Sequence, residues 1–190
     1  ARSCAVMSDS TARCWGDNTD GALGDGTTID RSTAAVVSGL SGVSAVAVGN
    51  VHTCAIVAGG EVRCWGDNEN GKLGNGGTGD SVSPVNVTGI TGATAIAAGE
   101  NHTCVIVGNG EVRCWGDNSS GQLGNGSTAA SSTPVAATAV SGANAIAAGF
   151  GHSCATVANG GVRCWGRNAN GQLGNGTTTN STAPVAVSGL

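Results

Sequence analysis

The sequence is poor in several residue types, and each shortage excludes a class of protein. It has no tyrosine, one phenylalanine (Phe150) and one lysine (Lys72), and only 11% of its 190 residues are charged. The net charge is −4, which argues against a nucleic-acid partner because phosphate binding needs clustered Lys and Arg. No apolar run approaches the roughly 20 residues that a membrane-spanning helix needs. The sequence therefore predicts neither a nucleic-acid partner nor a membrane span.

What the chain has instead is a strict internal repeat. The segment from His52 to Gly76 recurs fifty and a hundred residues later, and a more divergent copy lies fifty residues before it. The markers keep the fifty-residue step without insertion or deletion, and they are Cys4, Cys54, Cys104, Cys154, Cys14, Cys64, Cys114, Cys164, Trp15, Trp65, Trp115 and Trp165. Such spacing means that each copy is one structural unit. We expect a single repeat domain over 1–190, built from units 1–40, 41–90, 91–140 and 141–190.

Each complete copy predicts four short strands. In the third copy these are 93–98, 102–107, 111–115 and 134–137, with turns or ordered glycine-rich loops between them and no helix. The strands are apolar on both faces, so both faces should be covered by neighbouring units. We therefore predict an all-β fold, a β-propeller with antiparallel four-stranded blades of fifty residues each.

The first copy is shorter than the others. Residues 1–40 lack the ten positions that form the inner strand in the other copies. The first blade should therefore have three strands. We expect the missing inner strand to come from further repeats in a longer array or from a partner.

The repeat motif AxAIAAGxxHTCxIVxxGxVRCWGxNxxGQLGNGTT, followed by a short PVxV strand, resembles the regulator-of-chromosome-condensation repeat over the whole chain. The resemblance implies a β-propeller, typically of seven blades, so four copies are fewer than expected. That family includes a nucleotide-exchange factor, a plant photoreceptor and bacterial β-lactamase inhibitors, so the fold alone does not choose a function. The cysteine pairs resemble the family's disulfide-containing variant in exported bacterial proteins.

The cysteines carry the strongest chemical signal. Counting inward from a turn near Gly59 places Ile56 opposite Val62, and therefore Cys54 opposite Cys64 on one face of a hairpin. Opposed Cβ atoms lie about 4.5–5.5 Å apart, which suits a disulfide after slight adjustment. The predicted bridges are Cys4–Cys14, Cys54–Cys64, Cys104–Cys114 and Cys154–Cys164. Fully paired cysteines place the protein outside the reducing cytosol.

A metal site at His52, Cys54 and Cys64 is the competing interpretation. Structural zinc usually takes four ligands and favours Cys-x-x-Cys spacing. In the first copy Arg2 stands at the position of the histidine, although both cysteines remain. We therefore favour disulfides and predict no metal site.

The recurring His and Trp residues are better explained by packing than by catalysis. No nucleophile or acid recurs beside His52, His102 and His152, so we expect each ring to bond the backbone of a neighbouring blade. One tryptophan per copy is expected to pack against the disulfide or the next blade. Clustered tryptophans are missing, which argues against light sensing.

The loop after each second cysteine is rich in Gly, Asn and Asp and resembles a calcium loop in composition. Its register is wrong for an EF-hand, and Asp17 becomes Arg167 in the last copy, so structural turns are favoured. We predict no cofactor, although weak calcium binding stays open.

Six Asn-x-Ser/Thr triplets accept glycans in a suitable secretory system, and they begin at Asn86, Asn101, Asn118, Asn125, Asn175 and Asn180.

Two non-enzymatic functions remain. No Ser–His–Asp set, matched carboxylate pair or phosphate loop is visible, so we expect no enzyme. The first hypothesis is an extracellular structural or adhesive module, in an array, filament or surface protein, because near-identical copies with open blade edges suit self-association. The alternative is a secreted or surface propeller that binds or inhibits another protein. That function needs exposed aromatic anchors, and Phe150 is the single phenylalanine.

Overall fold

Short β-strands provide almost all regular structure. The computed structural model describes residues 1–190, apart from the side chain at position 159. The strands are β1 (Arg2–Val6), β2 (Ala12–Gly16), β3 (Arg31–Val36), β4 (Ala45–Val48), β5 (His52–Ile56), β6 (Val62–Gly66), β7 (Ser81–Asn86), β8 (Ala93–Ala98), β9 (His102–Val107), β10 (Glu111–Gly116), β11 (Ser131–Ala136), β12 (Ala145–Ala148), β13 (His152–Thr156), β14 (Val162–Gly166) and β15 (Ser181–Ala186). Single 3₁₀ turns occupy Ala58–Gly60, Glu69–Gly71 and Ala158–Gly160, all in segments predicted as turns or loops.

The strands form four antiparallel meanders that follow the repeat. The sheet orders are β1-β2-β3, β4-β5-β6-β7, β8-β9-β10-β11 and β12-β13-β14-β15. The first sheet has three strands and lacks the inner one, as its shorter copy predicted. The all-β blade architecture is confirmed, and we number the blades 1 to 4 in chain order.

The outer strand of each blade was predicted too short. It was expected over 134–137 in the third copy, yet β11 spans Ser131–Ala136. Its ladder with β10 is irregular between the pairs Cys114↔Val135 and Gly116↔Ser131. Pro134 lies within this irregularity, where its missing N–H interrupts no regular ladder bond. The strand therefore passes through the proline instead of starting at it.

The hydrophobic core lies between the blades. Every residue of β5 and β9 is buried, because one face of each strand meets the preceding blade and the other meets the following blade. One core cluster joins Cys54 and Cys64 of blade 2 with Val105 and Trp115 of blade 3. Equivalent clusters lie at the other two junctions. This explains why the strands lack apolar/polar alternation.

The antiparallel register gathers two loops of each blade at one end of the stack. In blade 2, His52 pairs with Gly66, which also pairs with Ser81, and the Asp67 N–H donates to the Val51 carbonyl at 3.0 Å. We call this end the loop face; it comprises residues 49–51 and 66–80 and their counterparts at intervals of fifty. The opposite end carries the hairpin turns.

Candidate functional site

The predicted cysteine pairs are all joined in the structure. The bridges are Cys4–Cys14, Cys54–Cys64, Cys104–Cys114 and Cys154–Cys164, with Cα atoms 4.0–4.1 Å apart. In each pair the two residues are direct cross-strand partners. The sulfurs therefore bond one another and offer no thiolate for the alternative zinc site. Four such bridges indicate an oxidising environment.

The histidines connect neighbouring blades through hydroxyl groups. His52 Nε2 lies 2.8 Å from Thr103 Oγ1, and His102 Nε2 lies 2.8 Å from Ser153 Oγ. Ser153 Oγ also donates to the Gln122 carbonyl at 3.0 Å, so His102 Nε2 must be the donor to Ser153. The expectation that these rings bond a neighbour's backbone was wrong. The partner is a side chain that β9 or β13 places opposite the ring.

Burial keeps the linked histidines neutral. Both rings are fully buried, and desolvation lowers the pKa of His52 to about 3 and that of His102 to about 4. Their Nδ1 atoms are buried without a hydrogen-bond partner, against the backbone of Gly49 and Gly99. A ring that is enclosed in this way has no access to a substrate, so its role is structural.

These two pKa values predict a loss of stability in mild acid. An unfolded histidine takes up its proton near pH 6.5, whereas the folded rings stay neutral down to about pH 3–4. The unfolded chain therefore binds more protons in this window, and stability falls as the pH decreases through it. At pH 5 the expected loss is about 2 kcal/mol for each buried histidine. Urea unfolding at pH 7 and pH 5 measures it.

The matched control for this pH dependence is the double variant His52→Gln, His102→Gln. Glutamine keeps an N–H donor for the facing hydroxyl but does not titrate. We expect the variant to lose less stability between pH 7 and pH 5 than the parent protein. Equal losses in the two proteins would contradict the assignment to these rings.

Each buried tryptophan packs on the preceding blade. The Nε1–H groups of Trp65, Trp115 and Trp165 donate to the carbonyls of residues 22, 72 and 122 at 2.8–2.9 Å. Gly74 lies under Trp115 so closely that a Cβ there would come within 2.7 Å of the indole nitrogen. The expected packing between blades is confirmed, since Trp115 belongs to the junction cluster that includes Cys54 and Cys64 of the preceding blade.

One buried asparagine organises each glycine-rich loop. Asn118 Nδ2 donates to the Ser127 and Ala129 carbonyls at 2.9 Å, and its Oδ1 accepts the Leu123 N–H at 3.0 Å. Asn18, Asn68 and Asn168 lie at equivalent positions and accept the corresponding N–H. The loop geometry therefore comes from amide hydrogen bonds. Among the described side chains, no group of three or more His, Cys, Asp or Glu is placed to hold a metal ion.

The burial of the loop asparagine also decides whether it can be glycosylated. Asn118 is fully buried, so the folded protein offers this acceptor no space for a sugar. Asn86 and Asn180 are exposed, and Asn101, Asn125 and Asn175 are half-buried. Modification at these five sites stays a prediction.

The complete copies differ in charge mainly on the loop face. Apart from Glu61, Glu111 and Gly161, every charge-changing difference among copies two to four falls there. The positions concerned are Asn50, Glu100 and Phe150; Asp67, Asp117 and Arg167; Glu69, Ser119 and Ala169; Lys72, Gln122 and Gln172; and Asp80, Ala130 and Asn180. Residues of the core clusters change little by comparison. The loop face is thus where one blade differs chemically from the next.

An aromatic residue stands out on this face. Phe150 is 62% exposed, and the guanidinium carbon of Arg167 lies 5.6 Å from its ring centroid. In blades 2 and 3 the position of Arg167 is an aspartate, bound by Lys72 or Gln122 of the same loop. The Arg–Phe pair is therefore unique to blade 4 among the complete blades.

Two shallow clefts flank the Phe150 ring. One, of about 340 Å³, lies over the ends of the inner strands and includes Asn50, Glu100 and Phe150. The other, of about 290 Å³, lies between blades 3 and 4 and includes Glu100, Asp117, Phe150 and Arg167. An exposed apolar ring with charged groups of both signs around it is suited to binding a polypeptide surface. We call Phe150, Arg167, Glu100 and Asp117 the Phe150 patch.

Sequence reasoning noted Phe150 but missed the other members of the patch. The missed signal was the pattern of charge differences between copies. It marks Glu100 and Arg167, but their proximity to Phe150 depends on blade stacking, which the repeat alone does not show.

The repeat itself decides the family. The model of the regulator of chromosome condensation (RCC1) repeat matches residues 14–56, 59–106, 109–156 and 159–190, and a second model of that repeat matches 43–72, 93–122 and 144–172. The chain belongs to the RCC1 repeat family. A comparison with curated proteins found no match.

Several solved structures are similar to this fold. Human WBSCR16 is 22% identical with a TM-score of 0.86, and the match covers 98% of this chain and 50% of that one. Yeast RCC1 (Prp20), solved bound to Kap60, is 22% identical with a TM-score of 0.81, over 94% of this chain and 44% of that one. The ectodomain of the Physcomitrella patens receptor kinase CR4 is 26% identical with a TM-score of 0.54, over 88% and 39%. The chain spans half or less of each of these structures.

The RCC1 propeller is consistent with a protein-binding module. The yeast structure contains the RCC1 protein with its partner Kap60. The structure also has no helix, within the described residues, of the length and apolar character that crossing a membrane requires.

Proposed function

We propose that this RCC1 chain is a non-enzymatic binding module that recognises another protein through the Phe150 patch. The observation that supports this proposal most directly is the exposed Phe150 ring, which lies under Arg167. The ring is on the loop face, where the copies differ in charge. A protein anchor typically combines a large apolar group with surrounding polar groups that exclude water. The histidines of blades 2 and 3 are enclosed and all cysteines are paired, so neither supplies a reactive group to this patch.

The patch indicates what kind of partner surface would fit. Phe150 offers apolar area, Arg167 covers one side of the ring, and Glu100 and Asp117 line the adjoining cleft. A complementary segment would place an apolar side chain on the ring and a basic side chain near the two carboxylates. We therefore propose a protein partner with an exposed apolar and basic segment.

The proposed place of action is extracellular, in a secreted or surface-attached protein. The four disulfides support it, because such bridges form and persist mainly in oxidising surroundings. The match to the ectodomain of a receptor kinase is consistent with it.

Phe150→Ala tests the binding proposal. A partner is first captured from the extracellular proteins of the source culture with the oxidised chain, then purified and titrated against variants. Loss of an aromatic anchor typically costs about 2 kcal/mol or more, which is at least a tenfold weaker Kd. We expect that loss for Phe150→Ala and a smaller one for Arg167→Ala.

The control is Glu61→Ala, an exposed change at the opposite, hairpin end of the stack. It should leave the affinity unchanged. A partner that binds Phe150→Ala as tightly as the parent protein would refute the assignment to the patch.

A structural or adhesive array is the second candidate, and a different observation favours it. Three successive junctions between blades reuse the same contact, in which a tryptophan of the later blade donates to a loop carbonyl of the earlier one. Repeats that stack on one another through one recurring contact suit an extended array.

A further inference from the structure

The outer strand of blade 1 lacks a proline that the other three blades have. The same position holds Ala34 in β3 and a proline in β7, β11 and β15. These prolines are Pro84, Pro134 and Pro184. Proline has no backbone N–H, and natural proteins use it to keep exposed edge strands from pairing with another chain. The edge of β3 is therefore without the protection that the other outer edges carry.

The backbone of β3 offers hydrogen-bonding groups at this edge. The strand is paired on one side only, with β2. The Val37 N–H donates to the Ala12 carbonyl of β2 at 3.0 Å, and alternation along an antiparallel strand turns the N–H and C=O of Val36 outward. The same alternation turns those of Ala34 outward. The ladders of the other blades form with a proline at this position, so the Ala34 N–H serves no ladder bond.

The exposure of this edge does not depend on a neighbouring blade. Val36 is 50% exposed, and the residues at the same position of blades 2 and 3, Asn86 and Ala136, are also exposed. Both of those blades lie between two others in the stack. Ile29, just before β3, is 62% exposed, and its counterparts in blades 2 and 3 are exposed as well. Blade 1 therefore differs by the large apolar side chains that it places at both ends of the edge.

The edge strand carries little charge. From Ser32 to Val37 the sequence STAAVV has no charged residue, no proline and no glycine, which is typical of a segment that pairs with further strands. Arg31 precedes it, and the guanidinium of Arg31 is bound to Asp25 of the same blade at 2.7 Å. Two copies of this edge can thus meet without opposing like charges, which would destabilise cross-strand pairs.

We propose that two copies of this chain pair through β3, antiparallel about a two-fold axis at Ala34. In this pair the Ala34 N–H donates to the Ala34 carbonyl of the second copy, and Ser32 lies opposite Val36. The small side chains of Ser32 and Ala34 leave room for the two backbones to approach. The two three-stranded sheets join into one of six strands. Such a contact uses the same surface on both copies, so it closes at a dimer.

A second copy suits this edge better than a different protein does. A two-fold pair needs an edge that complements itself, and β3 does so because the N–H and C=O of one residue lie on the same side of the strand. Between Ser32 and Val37 there is also no charge that would select a partner of another sequence. The proposal goes beyond the binding function proposed above, and it does not involve the Phe150 patch, which lies in blades 3 and 4.

Sedimentation equilibrium of the oxidised chain tests this pairing, with Ala34→Pro as the main variant. The substitution gives β3 the residue that the other blades hold at this position, so the variant should fold, which circular dichroism checks. We expect the parent protein to form a dimer as its concentration increases. Ala34→Pro should remain a monomer over the same range, because proline removes the central N–H donor.

Val36→Lys is the second variant, and Ala136→Lys is its matched control in blade 3. A lysine on an edge strand opposes pairing, so Val36→Lys should remain a monomer, whereas Ala136→Lys should dimerise as the parent does. Three results would each overturn the proposal: a parent that stays monomeric, whether or not a strand of another protein binds β3; a parent that grows beyond a dimer; and a folded Ala34→Pro variant that associates as the parent does. Phe150→Ala should leave the dimer unchanged, so failure here is distinguishable from failure of partner binding at the Phe150 patch.

Discussion

Reduction of the disulfides is expected to unfold this protein at neutral pH. Each bridge joins cysteines ten residues apart. A cross-link over a loop of this length contributes about 2–3 kcal/mol, so the four together contribute roughly 10 kcal/mol. The whole stability of a domain is about 5–15 kcal/mol. Three of the four bridges also belong to a junction core, together with residues of the next blade.

The measurement is urea unfolding with and without a phosphine reductant, followed by circular dichroism. The Cys54→Ser, Cys64→Ser double variant gives the effect of one bridge under oxidising conditions. We expect that variant to remain folded and to lose about 2–3 kcal/mol or more. A reduced protein with the unfolding midpoint of the oxidised one would show that the bridges contribute nothing to stability.

Trp115→Ala is expected to cause the largest loss among single substitutions considered for this chain. The side chain is fully buried between blades 2 and 3, and truncating a buried Trp typically costs about 3–5 kcal/mol. Its Nε1–H also satisfies the Lys72 carbonyl at 2.9 Å. Leaving that buried acceptor unpaired adds about 1 kcal/mol. We therefore expect a total loss of roughly 4–6 kcal/mol in the free energy of unfolding.

The repeat supplies a matched control at Trp15. This residue has the same position in blade 1, but it is half-buried among the described residues. Trp15→Ala in dilute protein should therefore lose much less stability than Trp115→Ala. Similar losses at both sites would mean that the effect arises within a blade and not at the junction between blades.

Local regularity made most of the fold predictable. The turn near Gly59 sets the register of its hairpin, so counting from it was enough to pair Cys54 with Cys64, and the structure confirms that pairing. The start of the outer strand was harder to predict, because Pro134 suggested that the strand begins at this residue. Only the tertiary structure shows that the ladder is interrupted around this residue.

Long-range contacts explain the other differences between the sequence-based predictions and the structure. The hydroxyl partner of His52 comes from fifty-one residues further along the chain, and no local pattern points to it. Burial of Asn118 likewise depends on how its loop closes over the amide. The pairing of Phe150 with Arg167 joins two separate loops. Such features depend on stacking, which propensity and spacing do not describe.

The placement of the core between blades has a consequence for how such a gene changes. Unequal recombination between the near-identical copies would add or delete a whole fifty-residue unit. The new neighbours would meet through the same indole, imidazole and disulfide contacts as the old ones, so the product would need no compensating mutations to fold. Blade number can therefore drift between relatives while the loop residues diversify independently.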